Sequence, residues 1–291
     1  MSRAVDVVIV GGGPAGSTAA LVLARARHRV LVVDDRTYRN RAVVEFHGFP
    51  TRDGTRPAAL VADAHAELRR YGVSFTASPV VDARPIDHGS LVQFADGHSV
   101  STAAVVIATG VHDELPPIRG LAERWGRSVF NCPFCDGWEH RDRPVVVIDA
   151  APGAEHLADL LRSWTSEVTV VAACDVATLE GAGRTLERLV LRDGRVIVAE
   201  AVFVKAPVAP RNDVARRLGC VLDVDGYVVT DAQGRTSNPV VWAAGDLRRS
   251  PPQPHQVILA AADGSAAAIS IHKAFVHGEL GRSTTTDPAW R

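Results

Sequence analysis

Short apolar runs alternate along this chain with longer segments whose apolar residues recur at helical spacing. The run Val5 to Val10 reads as a buried strand, the glycines that follow as a tight turn, and Ala15 to Ala26 as a helix. HRVLVVDD then reads as a second strand, with Asp34 near its end. RPAALVADAHAELRRYG is amphipathic, with Leu60, Ala64 and Leu68 on one face. VSFTASPVVDARP and SLVQFADGHSVSTAAVVIATG predict short strands, a hairpin turn at Asp96-Gly97 and a buried strand ending in Thr109-Gly110. Past the prolyl stretch ELPPIRG, the order strand, turn, helix, strand returns in RPVVVIDAAPGAEHLADLLRSWTSEVTVVAA. Asp193-Gly194 reads as a hairpin turn, NDVARRLG as a short helix and DVDGYVVTD as a strand pair about a glycine. NPVVWAAGDL is a strand running into Gly245-Asp246, and QPHQVILAAADGSAAAISIHKAFVHG a long helix of small residues. The polar tail from Gly278 reads as frayed.

This order predicts an α/β chain with two Rossmann-like three-layer domains. The front one carries the whole dinucleotide fingerprint in context: strand, GxGxxG at Gly11, Gly13 and Gly16, helix, strand, acid. The glycines allow the tight turn and let a pyrophosphate approach the backbone, while the helix start offers free N–H groups and partial positive charge. Asp34 is the candidate acceptor for ribose hydroxyls; Asp35 is its rival, set behind because Asp34 directly ends the apolar strand.

Composition narrows the picture. The 291 residues are 46% hydrophobic, enough for a core, and the formal net charge is -1, which gives no bulk attraction to nucleic acid or an anionic membrane. Val5–Val10 is too short for a signal-peptide core. Val257 to Ile271 is apolar but holds Asp263 and Gly264, so a buried helix is expected rather than a membrane span, and a cytoplasmic location. Of four cysteines, Cys174 and Cys220 stand singly in apolar surroundings and read as buried bystanders. Cys132 and Cys135 form a CxxC in NCPFCDGWE. Zinc needs about four ligands, and only His140 stands near this pair. A reducing compartment disfavours a structural staple, which leaves redox work as the reading.

GGGPAG at 11–16, ATG at 108–110, CxxCDG at 132–137 and AAGD at 243–246 together resemble, in order and spacing, the low-molecular-weight thioredoxin reductases over residues 4–277. The resemblance implies FAD, an FAD-binding domain made of 1–112 and 244–291, an inserted NAD(P)-like domain at 113–243 that carries the CxxC, and a homodimer. It implies FAD contacts from Gly11, Gly13, Pro14, Ala15, Gly16 and Asp34, with Val81, Thr109 and Gly110 on the following segments. Gly245 and Asp246 would hold the ribityl chain, and Gln256 and Val257 would sit beside the isoalloxazine. YRN…HGFPTRDG and CPFC are similar to the branch of dithiol oxidases of gliotoxin and holomycin biosynthesis, which makes Arg39, Asn40 and His47 candidate FAD contacts. Members of that branch often carry histidine after the second cysteine; here Asp136 stands there, as in the reductases.

The middle domain departs from an NADPH site. VVVIDAAPGAEH puts Asp149 at the first glycine position and Ala151 at the second. A carboxylate about 4 Å from a phosphate charge costs about 4 kcal/mol at a near-surface dielectric. The alanine methyl takes up space that the backbone needs for close approach. VTVVAACDVATLEG lacks the basic cluster that grips a 2'-phosphate and contains Asp175. Electrons are therefore expected to enter from a small-molecule dithiol and to leave to dioxygen, giving hydrogen peroxide. By the family match, Cys132 exchanges with substrate and Cys135 faces the flavin. Asp136 is the proton carrier or, on the plainer reading, a turn residue. Phe134 and Trp138 line an apolar entrance or pack in the core, and His255 is a second candidate base or an exposed residue. Rival expectations are an NADPH-dependent disulfide reductase, a ferredoxin-linked thioredoxin reductase and a non-catalytic flavin binder.

Overall fold

The structure, a computed structural model, describes residues 3–87, 89–249 and 254–281. The strands in chain order are β1 (Arg3–Val10), β2 (Val30–Val33), β3 (Ser74–Thr76), β4 (Val80–Ile86), β5 (Gly89–Phe94), β6 (Ser99–Ile107), β7 (Val111–Asp113), β8 (Val129–Phe130), β9 (Val145–Asp149), β10 (Val168–Ala172), β11 (Val176–Glu180), β12 (Arg188–Leu191), β13 (Val196–Val198), β14 (Ala201–Val204), β15 (Val208–Pro210) and β16 (Val241–Ala243). The helices are α1 (Pro14–Arg25), α2 (Pro57–Arg70), α3 (Leu121–Arg124), α4 (Pro133–Asp136), α5 (Ala154–Leu161), α6 (Asp213–Arg217) and α7 (Val257–Val276).

The chain forms two compact units, as the α/β reading expects. The first holds the residues up to Tyr38, Ala58–His112 and those from Ala209 on; the second holds Arg39–Pro57 and Asp113–Val208.

In the first unit β3, β2, β1, β6 and β16 lie parallel in that order, and the hairpin β4–β5 pairs antiparallel with the opening half of β6. Alternation puts Val7 and Ile9 on one face of β1 and Val8 and Val10 on the other. The first face packs on α1 and α7 through Ala19, Leu23, Ala267 and Ile271. The two helices touch closely because Gly264 lacks a side chain: a Cβ there would come within 2.0 Å of the Ala15 carbonyl oxygen. Trp242 is buried at this face, and its indole N–H donates to Ser270 Oγ at 3.1 Å.

The opposite face is closed by Val214, Ala215, Leu218, Cys220 and Val228. These residues move the domain boundary. The inserted domain, expected to run to 243, ends at Val208, because α6 and the loop after it serve as the outer layer of the first sheet.

The second unit has a parallel sheet β10-β9-β14-β8. Val145–Ile148 and Ala201–Val204 are buried on both faces, which suits their unbroken apolar pattern. Leu157, Ala158 and Leu161 of α5 cover one side, and Leu179, Leu189 and Leu191 of the antiparallel β11-β12-β13 layer cover the other.

Three local expectations change. Cys174 is exposed, in the turn Ala173–Asp175 after β10, whereas Cys220 is buried. DVDGYVVTD forms a turn with an isolated bridge between Leu222 and Val228, since Asp223 Oδ1 accepts the N–H groups of Asp225 and Tyr227, both at 2.9 Å. In α2 Pro57, His65 and Leu68 are buried; Leu60 and Ala64 are half-buried. The tail beyond Gly281 lies outside the described residues.

Candidate active site

The front cradle is built where β1 ends. Gly11 has φ +107°, and a Cβ there would stand 2.3 Å from the Ala108 carbonyl oxygen at the end of β6. A Cβ on Gly16 would stand 1.8 Å from the Gly11 carbonyl oxygen. These two glycines let the turn fold onto the sheet. Gly13 differs, because a Cβ there would meet only Tyr38 Cδ1, at 3.7 Å. Gly13 is also the N-cap of α1, with no side chain capping the helix and Pro14 and Ala15 in its first turn. An open glycine at an uncapped helix start is what a pyrophosphate requires.

Asp34 closes the cradle. It is buried, and its Oδ1 accepts the N–H groups of Gly12 (3.3 Å) and Arg36 (3.2 Å). Tyr38 donates its hydroxyl to Asp34 Oδ2; burial first, and this bond second, push the phenol well above its ordinary range. Asp35 is exposed and turns to the N–H (2.9 Å) and hydroxyl (2.7 Å) of Thr37. Sequence reasoning missed Tyr38 and His65; the imidazole Nε2 of His65 lies 3.1 Å from the Gly12 carbonyl oxygen. The signal for His65 was its place three residues before Leu68 on the buried face of α2.

The remaining front residues lie in the same unit. Thr109 donates to the Arg211 carbonyl at 2.6 Å, and Gly110 has φ +66° with open space beside it. A Cβ on Gly245 (φ +76°) would come within 2.9 Å of Ala15 Cβ, which sets the 245–247 turn with Asp246 beside the α1 start. Gln256 is the N-cap of α7 and Val257 its first residue. Val81 is exposed at an irregularity in β4. Arg39, Asn40 and His47 belong to the second unit, with the dithiol.

CPFCDG makes its own turn in that unit. The residue before proline favours an extended backbone, and proline suits the first helical position. Cys132 is accordingly extended (φ -114°) and caps α4, with Pro133 first inside. Gly137 is required because a Cβ would fall 2.5 Å from the Pro133 carbonyl oxygen and 3.0 Å from Trp164 Cδ2.

The two sulfurs are 2.6 Å apart, with the Cys135 thiol donating to Cys132. That bond, helped by backbone N–H groups and opposed by burial, brings the Cys132 thiol down to about 7. The same bond and burial push Cys135 far up, and the Asp136 carboxylate adds to this. Asp136 is raised to about 7, by burial first and then by the Cys132 thiolate and Glu139. A nucleophilic thiolate, a resolving thiol and a carboxylic acid near neutrality thus lie within five residues. Phe134 (60% exposed) stands edge-on to Trp164, and Trp138 (64% exposed) lies under the Arg141 guanidinium at 4.2 Å. The core-packing reading of these two rings gives way to an exposed apolar rim.

The second nucleotide cradle holds a carboxylate and a lysine side chain. Asp149 ends β9, exposed. The pairing of Ile148 with Val204 puts the next residues, Asp149 and Lys205, side by side. A Cβ on Gly153, the N-cap of α5, would meet Lys205 Nζ at 2.5 Å, Cδ at 3.4 Å and Cε at 3.5 Å. This corrects the reading of a cradle without basic residues. Lys205 reaches it from β14, and Arg192 donates to the Cys174 carbonyl (2.8 Å) after β10. The linear pattern could not show either, since both come from distant segments.

The fold and these sites agree with known proteins. The family model described as pyridine nucleotide-disulphide oxidoreductase matches residues 5–187 and 173–264, and the chain belongs to that family. Thioredoxin reductase tcpT of Claviceps purpurea is 31% identical over 283 residues, covering 84% of this chain and 87% of its own. A probable thioredoxin reductase of Arthroderma benhamiae is 36% identical over 154 residues, 49% of this chain and 37% of its own length. Among solved structures, HlmI superposes with a TM-score of 0.89 at 35% identity, over 96% of this chain and 95% of that one. The kinship read from the motifs, thioredoxin reductase-like and of the dithiol-oxidase branch, is borne out. The protein is an oxidoreductase, and its cofactor is FAD, as in its flavoprotein relatives. Among the described residues no helix is long and apolar enough to cross a membrane.

Proposed function

We propose that this protein is a dithiol oxidase that closes a disulfide in a small apolar dithiol and passes the electron pair through FAD to dioxygen, giving hydrogen peroxide. The observation that carries the reading is the second cradle. Asp149 stands exposed at the strand end and Ala151 follows it, where a pyridine dinucleotide needs open backbone and donors. The dithiol pair and acid, in contrast, are complete.

The front cradle fits FAD. Gly11, Gly13 and the α1 start would take the pyrophosphate, Asp34 the ribose, and Asp246 with the α7 start the flavin end. When bound, FAD supplies a two-electron acceptor for the enzyme dithiol.

The side chains dictate the order of exchange. A substrate thiolate attacks Cys132 of the enzyme disulfide, forming a mixed disulfide, and Cys135 departs. A thiol with a raised pKa is a poor leaving group. Asp136, beside it and protonated below about 7, hands it a proton. The second substrate thiolate then attacks the substrate's own sulfur in the mixed bond. Cys132 leaves readily, as its thiolate is the stabilised one. The substrate is oxidised by two electrons and the enzyme pair reduced by two. Phe134 and Trp138 offer the rim on which an apolar substrate rests.

The names of relatives favour a second reading, an NADPH-dependent disulfide reductase. Oxygen uptake with a panel of small dithiols, run with and without NADPH, separates the two. The oxidase consumes oxygen and yields peroxide with dithiol alone. Uptake or disulfide reduction only when NADPH is present supports the reductase.

A further inference from the structure

Of the YRN stretch only Tyr38 stays with the front unit, and there it stands between the two ends of the adenosine cradle. Its ring lies beside the open glycine: a Cβ on Gly13 would meet Tyr38 Cδ1 at 3.7 Å and nothing else within 4 Å. Its hydroxyl donates to Asp34 Oδ2. Gly13 is the uncapped start of α1, where a pyrophosphate is taken, and Asp34 is the acid at the strand end that takes a ribose. One side chain therefore adjoins both.

Asp34 has little capacity left for that ribose. A carboxylate offers about four acceptor positions, two on each oxygen. Oδ1 has both in use, for the N–H groups of Gly12 (3.3 Å) and Arg36 (3.2 Å). Oδ2 has one in use, for Tyr38. The backbone also narrows the approach to Oδ2, since a Cβ on Gly12 would stand 2.8 Å from it. One position remains. The ribose of an adenosine brings two hydroxyl protons, one on each side of the C2'–C3' bond, so the second needs another acceptor beside Asp34.

His65 is not that acceptor. Its Nε2 lies 3.1 Å from the Gly12 carbonyl oxygen and 3.8 Å from Asp34 Oδ2, so this nitrogen carries a proton and gives it to the carbonyl. Thr37 is spent elsewhere: its hydroxyl donates to Asp35 Oδ1 (2.7 Å) and accepts from the Arg211 guanidinium (2.7 Å). The Tyr38 oxygen has capacity. Its one proton goes to Asp34, and its lone pairs accept from no described residue. Burial first, and the bond to Asp34 second, hold the phenol well above its ordinary range, so it keeps that proton.

We propose that Tyr38 is a binding residue for the adenosine ribose of FAD: Asp34 Oδ2 accepts one ribose hydroxyl, and the Tyr38 hydroxyl oxygen accepts the other while still donating to Asp34. Tyr38 completes a two-acceptor grip that the glycines and the acid alone leave one acceptor short. This contact is the same whichever way electrons run through the flavin, and it stands apart from the oxidase reading.

The test strips FAD from the full-length protein and measures rebinding through the change in flavin fluorescence, for wild type, Tyr38→Phe and Asp35→Asn. The ligands are FAD and two analogues, one lacking the 2'-hydroxyl and one the 3'-hydroxyl of the adenosine ribose. Wild type should bind each analogue about tenfold more weakly than FAD. Tyr38→Phe should bind FAD about tenfold more weakly than wild type does. It should no longer distinguish FAD from one of the analogues, while still losing affinity for the other. Asp35→Asn, on the same loop, should follow the wild type. A loss in Tyr38→Phe that is equal for FAD and both analogues marks a structural role and overturns the proposal. Unchanged FAD affinity in Tyr38→Phe overturns it as well, as does a wild type that responds to the loss of only one hydroxyl or of neither. Selectivity lost in Asp35→Asn instead would move the second acceptor to Asp35 and overturn it too.

Discussion

Cys132 accepts the Cys135 thiol proton at 2.6 Å, and this one contact divides the labour of the pair. The acceptor sulfur is ready to be a thiolate near neutral pH, while the donor keeps its proton. In the reduced protein, iodoacetamide should modify Cys132 first, with a rate that rises through about pH 7. Cys135→Ser substitutes a hydroxyl donor and should leave that profile near its place; Cys135→Ala removes the donor and should move it upward. Peptide mass mapping after partial alkylation reads the order. Cys132→Ser should abolish dithiol turnover while the protein stays yellow with FAD.

Asp136 gives two signatures of one raised pKa. As proton donor to Cys135 it serves while protonated, so turnover at saturating dithiol should fall as pH rises through about 7. Asp136→Asn should lower kcat and remove that falling limb. Wild-type stability should fall over the same range. A carboxyl raised from its unfolded range to about 7 contributes fully below the unfolded value, and its contribution is lost as pH rises through the folded one. Asp136→Asn should therefore raise Tm more at pH 8 than at pH 5, checked by thermal melts at both.

Much of this molecule can be read from its sequence, and the reasons are local. The front fingerprint is visible because Gly11, Gly13 and Gly16 keep a fixed spacing between an apolar strand and a helix, with Gly16 folded onto Gly11 within the turn itself, and Asp34 is fixed by ending an apolar strand. CPFCDG is visible because its proline and glycine are needed by the turn itself. What stays hidden is carried by distant partners. Lys205 reaches Gly153 across 52 positions, and Tyr38 and His65 meet Asp34 and Gly12 only once the sheet is formed. Arg39, Asn40 and His47 follow directly on the front cradle in sequence but fold with the dithiol unit. The same holds for residues 209–243, whose polar loops give no hint that Val214 and Leu218 cover the first sheet.

The packing of α7 on α1 depends on one missing side chain. Gly264→Ala puts a methyl 2.0 Å from the Ala15 carbonyl oxygen, so the helices must separate. Overpacking of this kind costs about 1–3 kcal/mol. Chemical denaturation should show that loss, and the released FAD fraction should rise because Ala15 and Gly245 share the contact.

Phe134 and Trp138 should govern substrate choice more than chemistry. Each aromatic contact is worth about 1 kcal/mol beyond its burial, so replacing both by alanine should raise KM for a bulky apolar dithiol about tenfold or more. The kcat with dithiothreitol, which has little surface to rest on the rim, should change little. Steady-state oxygen uptake with the two substrates makes the comparison.

The direction of electron entry is tested most directly by anaerobic titration of the FAD-loaded protein, first with a small dithiol and separately with NADPH, followed by the visible absorbance of the flavin. The account predicts stoichiometric bleaching by the dithiol, restored on admitting oxygen, and an unchanged spectrum with NADPH. Rapid bleaching by NADPH, with the dithiol inert, would contradict it.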